Sequence, residues 1–160
     1  MPCNIYQTVS GIGFSKKEIA GIAKTVLDFL PKKNAELSVH LIGDKKIKKI
    51  NKHYRGMDKV TDVLAFAWQD FPLRPSFAKG FGMAQQGFGE RNKDLGDIFI
   101  SIPQVKRQAK EQKISYKEEL ARILVHGILH LNEYDHMNEK EKKEMFGLQE
   151  KMVKKIMYEF

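Results

Sequence analysis

The residues best suited to chemistry lie close together, in His126-Gly127-Ile128-Leu129-His130 and the following Leu131-Asn132-Glu133-Tyr134-Asp135-His136. On an α-helix, residues four apart differ by about 40° around the axis, so His126 and His130 share a face and their imidazoles can converge on one ion. His136 follows six positions later. That gap lets the chain leave the helix and turn back, with Asn132 expected to take the left-handed conformation that ends many helices. Three neutral imidazoles suit a single divalent metal. Zinc fits best, because a three-ligand site leaves a fourth position for water, the mark of a catalytic centre. Nickel or another borderline ion accepts the same donors. Asp135, beside His136, could orient an imidazole through its second ring nitrogen or simply cap the turn.

The same spacing occurs in the HExxH metallopeptidases, where glutamate follows the first histidine and acts as general base. Here that position is Gly127. Peptide hydrolysis by that mechanism is therefore disfavoured. Metal-activated water, or the 2′-hydroxyl of RNA, remains available as a nucleophile.

These residues need a scaffold, and local patterns predict one. Asn4–Val9 reads as a strand. Ser15 and Glu18 form a capping box that opens a helix with Ile19, Ile22, Ala23, Val26 and Leu27 on one face, ended by Pro31. Leu37, Val39 and Leu41 alternate with Ser38 and His40, the pattern of a strand. Asp44 is expected to cap a second helix over 45–53. Residues 61–68 and 96–102 read as buried strands. Pro103 suits the first turn of a helix running to Gln112. A second capping box, Ser115 to Glu118, opens the helix that carries His126 and His130. Asn138 is expected to cap a last helix over 139–158. Between the two buried strands, residues 69–94 carry Pro72, Pro75, several glycines and four phenylalanines, and read as a long loop. The order β-α-β-α-β-loop-β-α-α-α makes residues 1–160 a single α+β domain, with about four strands packed with helices.

Composition bounds the partners. The chain has 160 residues and a formal net charge of +8. A basic protein gathers polyanions, since neutralising phosphates releases condensed counterions. Lys45, Lys48, Lys49 and Lys52 are expected on one helix and could follow an RNA backbone, or merely solvate that helix. The one cysteine, Cys3, excludes an internal disulfide and points to a reducing compartment. With no leader-like segment and no membrane-length apolar run, the cytoplasm is the expected location and no membrane partner is expected.

Three segments together resemble the YbeY family of bacterial rRNA maturation factors: Asn51-Lys52-His53-Tyr54-Arg55-Gly56 with Thr61-Asp62-Val63-Leu64-Ala65-Phe66; Leu95-Gly96-Asp97-Ile98-Phe99-Ile100; and His126–His136 with Met145 and Glu150. The chain departs from the family pattern at Glu133, where glycine is usual, at Ala65 for serine and at Val60 for proline. The resemblance implies a matrixin-like α+β fold with zinc on His126, His130 and His136. It implies a metal-dependent endoribonuclease of single-stranded RNA that works in 16S rRNA 3′-end maturation and ribosome quality control, in contact with the small ribosomal subunit and its proteins. It also marks Arg55, whose guanidinium could hold a phosphate bidentately and offset charge that develops in the transition state. Thr61, Asp62 and Asp97 are expected as supports of the site or of the fold. Two other readings use the same residues: a ribosome-assembly factor with a structural zinc, and a zinc hydrolase of another substrate.

Overall fold

The computed structural model describes residues 3–31, 34–67, 94–132 and 138–160. Four strands form one mixed sheet in the order β1-β2-β4-β3, where β1 is Cys3–Gln7, β2 Glu36–Ile42, β3 Val63–Ala67 and β4 Asp94–Ser101. Strands β1, β2 and β4 run parallel, and β3 pairs antiparallel with β4 at one edge. Five helices are described: α1 Lys16–Phe29, α2 Asp44–Arg55, α3 Ile102–Gln112, α4 Tyr116–Leu131 and α5 Glu139–Glu159. The expected α+β domain with a four-stranded mixed sheet is what the chain forms.

The sheet separates two cores, as period-2 alternation requires. Leu37, Val39, Leu41, Ile98 and Ile100 face α1, α4 and α5 and carry the larger core. Ile42, Leu64, Phe66 and Phe99 face the other way and pack with Ile47 and Ile50 of α2. The helices α2 and α4 therefore lie on opposite faces. Cys3 is buried in the larger core, and burial pushes its thiol up to about 12. It is a small apolar strand residue, with no thiolate for chemistry.

Helix starts follow local chemistry with two exceptions. Ser15 and Glu18 form the full reciprocal box: the Glu18 amide donates to Ser15 Oγ (3.1 Å) and Glu18 Oε2 accepts from the Ser15 amide (2.7 Å). Asn138 caps α5 by accepting from the Glu141 amide. At α4 only half of the expected box forms. Ser115 Oγ accepts from the Glu118 amide, while the Glu118 carboxylate turns to Arg122 at 3.3 Å. Asp44 does not cap α2. Gly43 holds the cap position without a side-chain bond, and Asp44 accepts from Ser101 Oγ at 2.8 Å and from Arg107 at 2.9 Å. An ion pair and a hydroxyl from distant elements outweigh a local cap, which is worth about 1 kcal/mol.

Strand starts shift by one to two residues. The strand expected at 61–68 begins at Val63, whose amide donates to Asp62 Oδ1 at 2.8 Å, and runs through Ala67; Trp68 lies outside the described residues. The strand expected at 96–102 begins at Asp94, so Asp94 belongs to β4 and not to the loop expected over 69–94; residues 69–93 of that loop lie outside the described residues. Gly96 adopts φ +131°, and a Cβ there would sit on the Phe66 carbonyl oxygen of the paired strand. No other residue could bring β3 and β4 together at that point. No helix among the described residues is long and apolar enough to cross a membrane.

Candidate metal centre

Helix α4 is apolar over most of its surface, with Leu120, Leu124, Val125, Ile128, Leu129 and Leu131 all buried. Gly127 lies against the sheet: a Cβ at that position would meet Ile98 Cγ2 at 3.1 Å and Cδ1 at 3.2 Å. The position that holds the peptidase glutamate is thus used here for close approach of helix to sheet. That approach rigidly seats the stretch of helix that bears both histidines.

His126 and His130 are half-buried. Their Nε2 atoms lie 3.0 Å apart, with ring centroids 4.6 Å apart and planes at 73°. The spacing does what the sequence implied and brings both imidazoles to one point. On the far side of His126, Nδ1 donates to Gln149 Oε1 of α5 at 2.9 Å. A neutral imidazole that carries its proton on Nδ1 has a free lone pair on Nε2.

The donors fit a divalent ion. Zn–N bonds run to about 2.0–2.1 Å, so two nitrogens on a tetrahedral ion stand about 3.3 Å apart. The observed pair needs to open by only a few tenths of an ångström. Two candidate ligands are brought together among the described residues, not three, because His136 and Asp135 fall in 133–137, outside them. Asn132 does not take the left-handed conformation expected of it. Its φ is −97° and ψ 25°, and its amide and side chain bond the Ile128 carbonyl. Glu133, at the position where glycine is usual, lies outside the described residues.

The wall behind the histidines is charged. Arg122 of α4 donates through Nε and Nη2 to Glu150 at 2.9 and 3.1 Å, and through Nη2 to Glu118. The guanidinium holds the Glu150 carboxyl below the usual carboxylate range. Glu119 is buried, and desolvation pushes its carboxyl up, against the pull of Arg122 and of the Gln108 amide. Gln108 also donates to Asp62 Oδ2 at 3.2 Å, so Asp62 anchors the start of β3 to α3 and α4. Thr61 Oγ1 donates to Asp62 Oδ1. Both residues shape the fold beneath β3.

Asp97 sits on the α2 face of the sheet, where its Oδ1 accepts from His40 Nε2 at 2.9 Å and both residues are buried. The His40 ring stacks between Tyr6 and Phe99. Asp97 thus joins β4 to β2, away from the α4 histidines. Arg55 ends α2 and is exposed, as are Lys45, Lys48, Lys49 and Lys52. The left-handed Gly56 and the Asn51 side chain, bonded to the Lys59 carbonyl at 2.9 Å, set the turn that presents Arg55. Among the described residues no hydrogen bond or ion pair links Arg55 to the histidines. The two groups flank the edge strand β3 from opposite faces: Tyr54 packs on Phe66 at 4.7 Å, and α4 packs against β3 from the other side.

The sequence profile of the family described as Endoribonuclease YbeY matches residues 4–157. The chain belongs to the YbeY endoribonuclease family. An endoribonuclease YbeY of Persephonella marina is 40% identical over 143 residues, covering 89% of this chain and 84% of that protein. One from Bacillus cytotoxicus is 42% identical over 118 residues, covering 74% and 70%. The solution structure of the Thermotoga maritima protein TM1509 is similar at TM-score 0.62 and 28% identity, over 98% of this chain and 90% of that one. Both relatives are named as RNA-cleaving enzymes. Within that frame, Gln149 is the site residue that sequence reasoning missed. Its signal was legible: a lone amide in the apolar stripe Met145, Met152, Val153 and Ile156 of α5.

Proposed function

We propose that this protein is a metal-dependent endoribonuclease of single-stranded RNA that acts in maturation of the 16S rRNA 3′ end and in ribosome quality control, at the small subunit in the cytoplasm. His126, His130 and His136 would hold one divalent ion, zinc by preference. The observation that carries the reading is the 3.0 Å convergence of His126 and His130 Nε2 in a chain of this family. When bound, the ion supplies Lewis acidity at the scissile phosphate.

The protein's own residues do the rest. Arg55 binds a phosphate bidentately and offsets the negative charge that develops in the transition state. Lys45, Lys48, Lys49 and Lys52 follow the backbone electrostatically, in keeping with the net charge of +8. An RNA strand that passes over the β3 edge would meet both α2 and the α4 histidines. Gly127 leaves no carboxylate beside His126, so a peptidase-type base is not part of this chemistry.

The test compares wild type, His130→Ala and Arg55→Ala on single-stranded and duplex RNA, with folding checked by circular dichroism. Arg55→Ala should slow cleavage of single strands by about 10²–10³-fold, the usual cost of removing one charge-stabilising donor. His130→Ala should abolish it. Equal cleavage by all three proteins would overturn the reading and identify a contaminating nuclease. Tight RNA binding without cleavage would favour an assembly factor with a structural metal.

A further inference from the structure

The geometry points to Gln149 as a positioning residue that fixes the tautomer of His126 and thereby sets the affinity of the site for its metal. The inference rests on the proposed metal site. It begins from an asymmetry: a side-chain amide can present oxygen or nitrogen to a neighbour, and the two choices have opposite consequences for an imidazole. If oxygen faces Nδ1, the ring must donate from Nδ1, and Nε2 is left with the lone pair that a metal needs. If nitrogen faces Nδ1, the ring accepts there, Nε2 carries the proton and ligation is blocked.

Gln149 is 3% exposed and has little freedom to leave its place. Its Oε1 stands 2.9 Å from His126 Nδ1. With oxygen at that nitrogen the ring donates from Nδ1, and Nε2, 3.0 Å from His130 Nε2, keeps the lone pair. Metal-binding histidines generally lean on a carboxylate or carbonyl at the second nitrogen, and loss of that partner weakens metal binding about 10–100-fold. Here a glutamine carbonyl takes that place.

Two readouts test this without reference to cleavage. The first is the tautomer of His126 in metal-free protein, read from ring ¹⁵N chemical shifts. The second is zinc affinity, measured by competition with a chromophoric chelator. Wild type should show His126 protonated at Nδ1. Gln149→Met, similar in length and without an acceptor, should show mixed tautomers and bind zinc about 10–100-fold more weakly. Gln149→Glu keeps an acceptor at Nδ1 and should bind within a few-fold of wild type. An unchanged tautomer and affinity in Gln149→Met, or a loss in Gln149→Glu as large as in Gln149→Met, would overturn the assignment. If wild type binds no zinc, the metal-site reading fails while the tautomer measurement still decides the role of Gln149.

Discussion

Replacing Gly127 with alanine sets two effects of opposite sign against each other. Inside a helix, alanine is favoured over glycine by about 1 kcal/mol, because glycine loses more backbone freedom on folding. The added Cβ, however, would stand 3.1 and 3.2 Å from two carbons of Ile98, which is fully buried in β4. Relief requires movement of a few tenths of an ångström in a close-packed core, and overpacking of that kind costs about 1–3 kcal/mol. The net expectation is a destabilisation of about 1 kcal/mol. Urea unfolding of chelator-treated protein reads it without any contribution from bound metal. A double-mutant cycle sharpens the test. Ile98→Val removes Cδ1, one of the two close atoms, at its own cost of about 0.5–1.5 kcal/mol, so the two changes together should cost less than their sum. If Gly127→Ala is instead more stable by the full helix-propensity gain, the helix does not need its close approach to the sheet and the reasoning fails. Gly127→Glu should unfold the protein or expel α4, and should confer no peptidase activity.

Other expectations follow from the same contacts. Gly96→Ala places a methyl on the Phe66 carbonyl at a φ of +131° that side chains rarely adopt, and should leave little soluble protein on expression. Glu119 has a folded-state pKa raised by desolvation above its ordinary 4.5, so its contribution to stability is greatest at low pH and falls as pH rises through the folded value. Glu119→Gln should therefore flatten the pH dependence of the urea midpoint above about pH 4.5; a profile identical to wild type would refute this. His40→Phe keeps the ring stack and removes the His40 hydrogen bond to Asp97, and should cost about 1–3 kcal/mol by thermal unfolding with zinc affinity unchanged.

What the sequence made legible was local. Ser15 and Glu18 act within four residues, and the alternation of Leu37, Val39 and Leu41 expresses a sheet face directly. The four-residue spacing of His126 and His130 translates straight into convergent rings. What was not legible depended on partners far along the chain. Asp44 looks like a cap until Arg107 and Ser101 arrive from α3 and β4. Glu118 answers to Arg122 and not to its own helix start. Asn132 had the right residue type for a left-handed turn, yet bonding to the Ile128 carbonyl gave it an ordinary helix end. Gln149 shows the general difficulty, since its role depends on which histidine α5 meets. Arg55 shows another: the family resemblance marked it, and its place on the face opposite α4 follows only from how the sheet is assembled.

If one divalent ion on His126, His130 and His136 drives RNA cleavage, chelator-stripped protein given zinc in sub-stoichiometric steps should reveal it directly on a single-stranded RNA. Cleavage should be absent at the outset, rise linearly to a break at one zinc per chain, and not rise at all for His136→Ala. Full activity in the stripped protein, or an unchanged break in His136→Ala, would contradict that role of the ion.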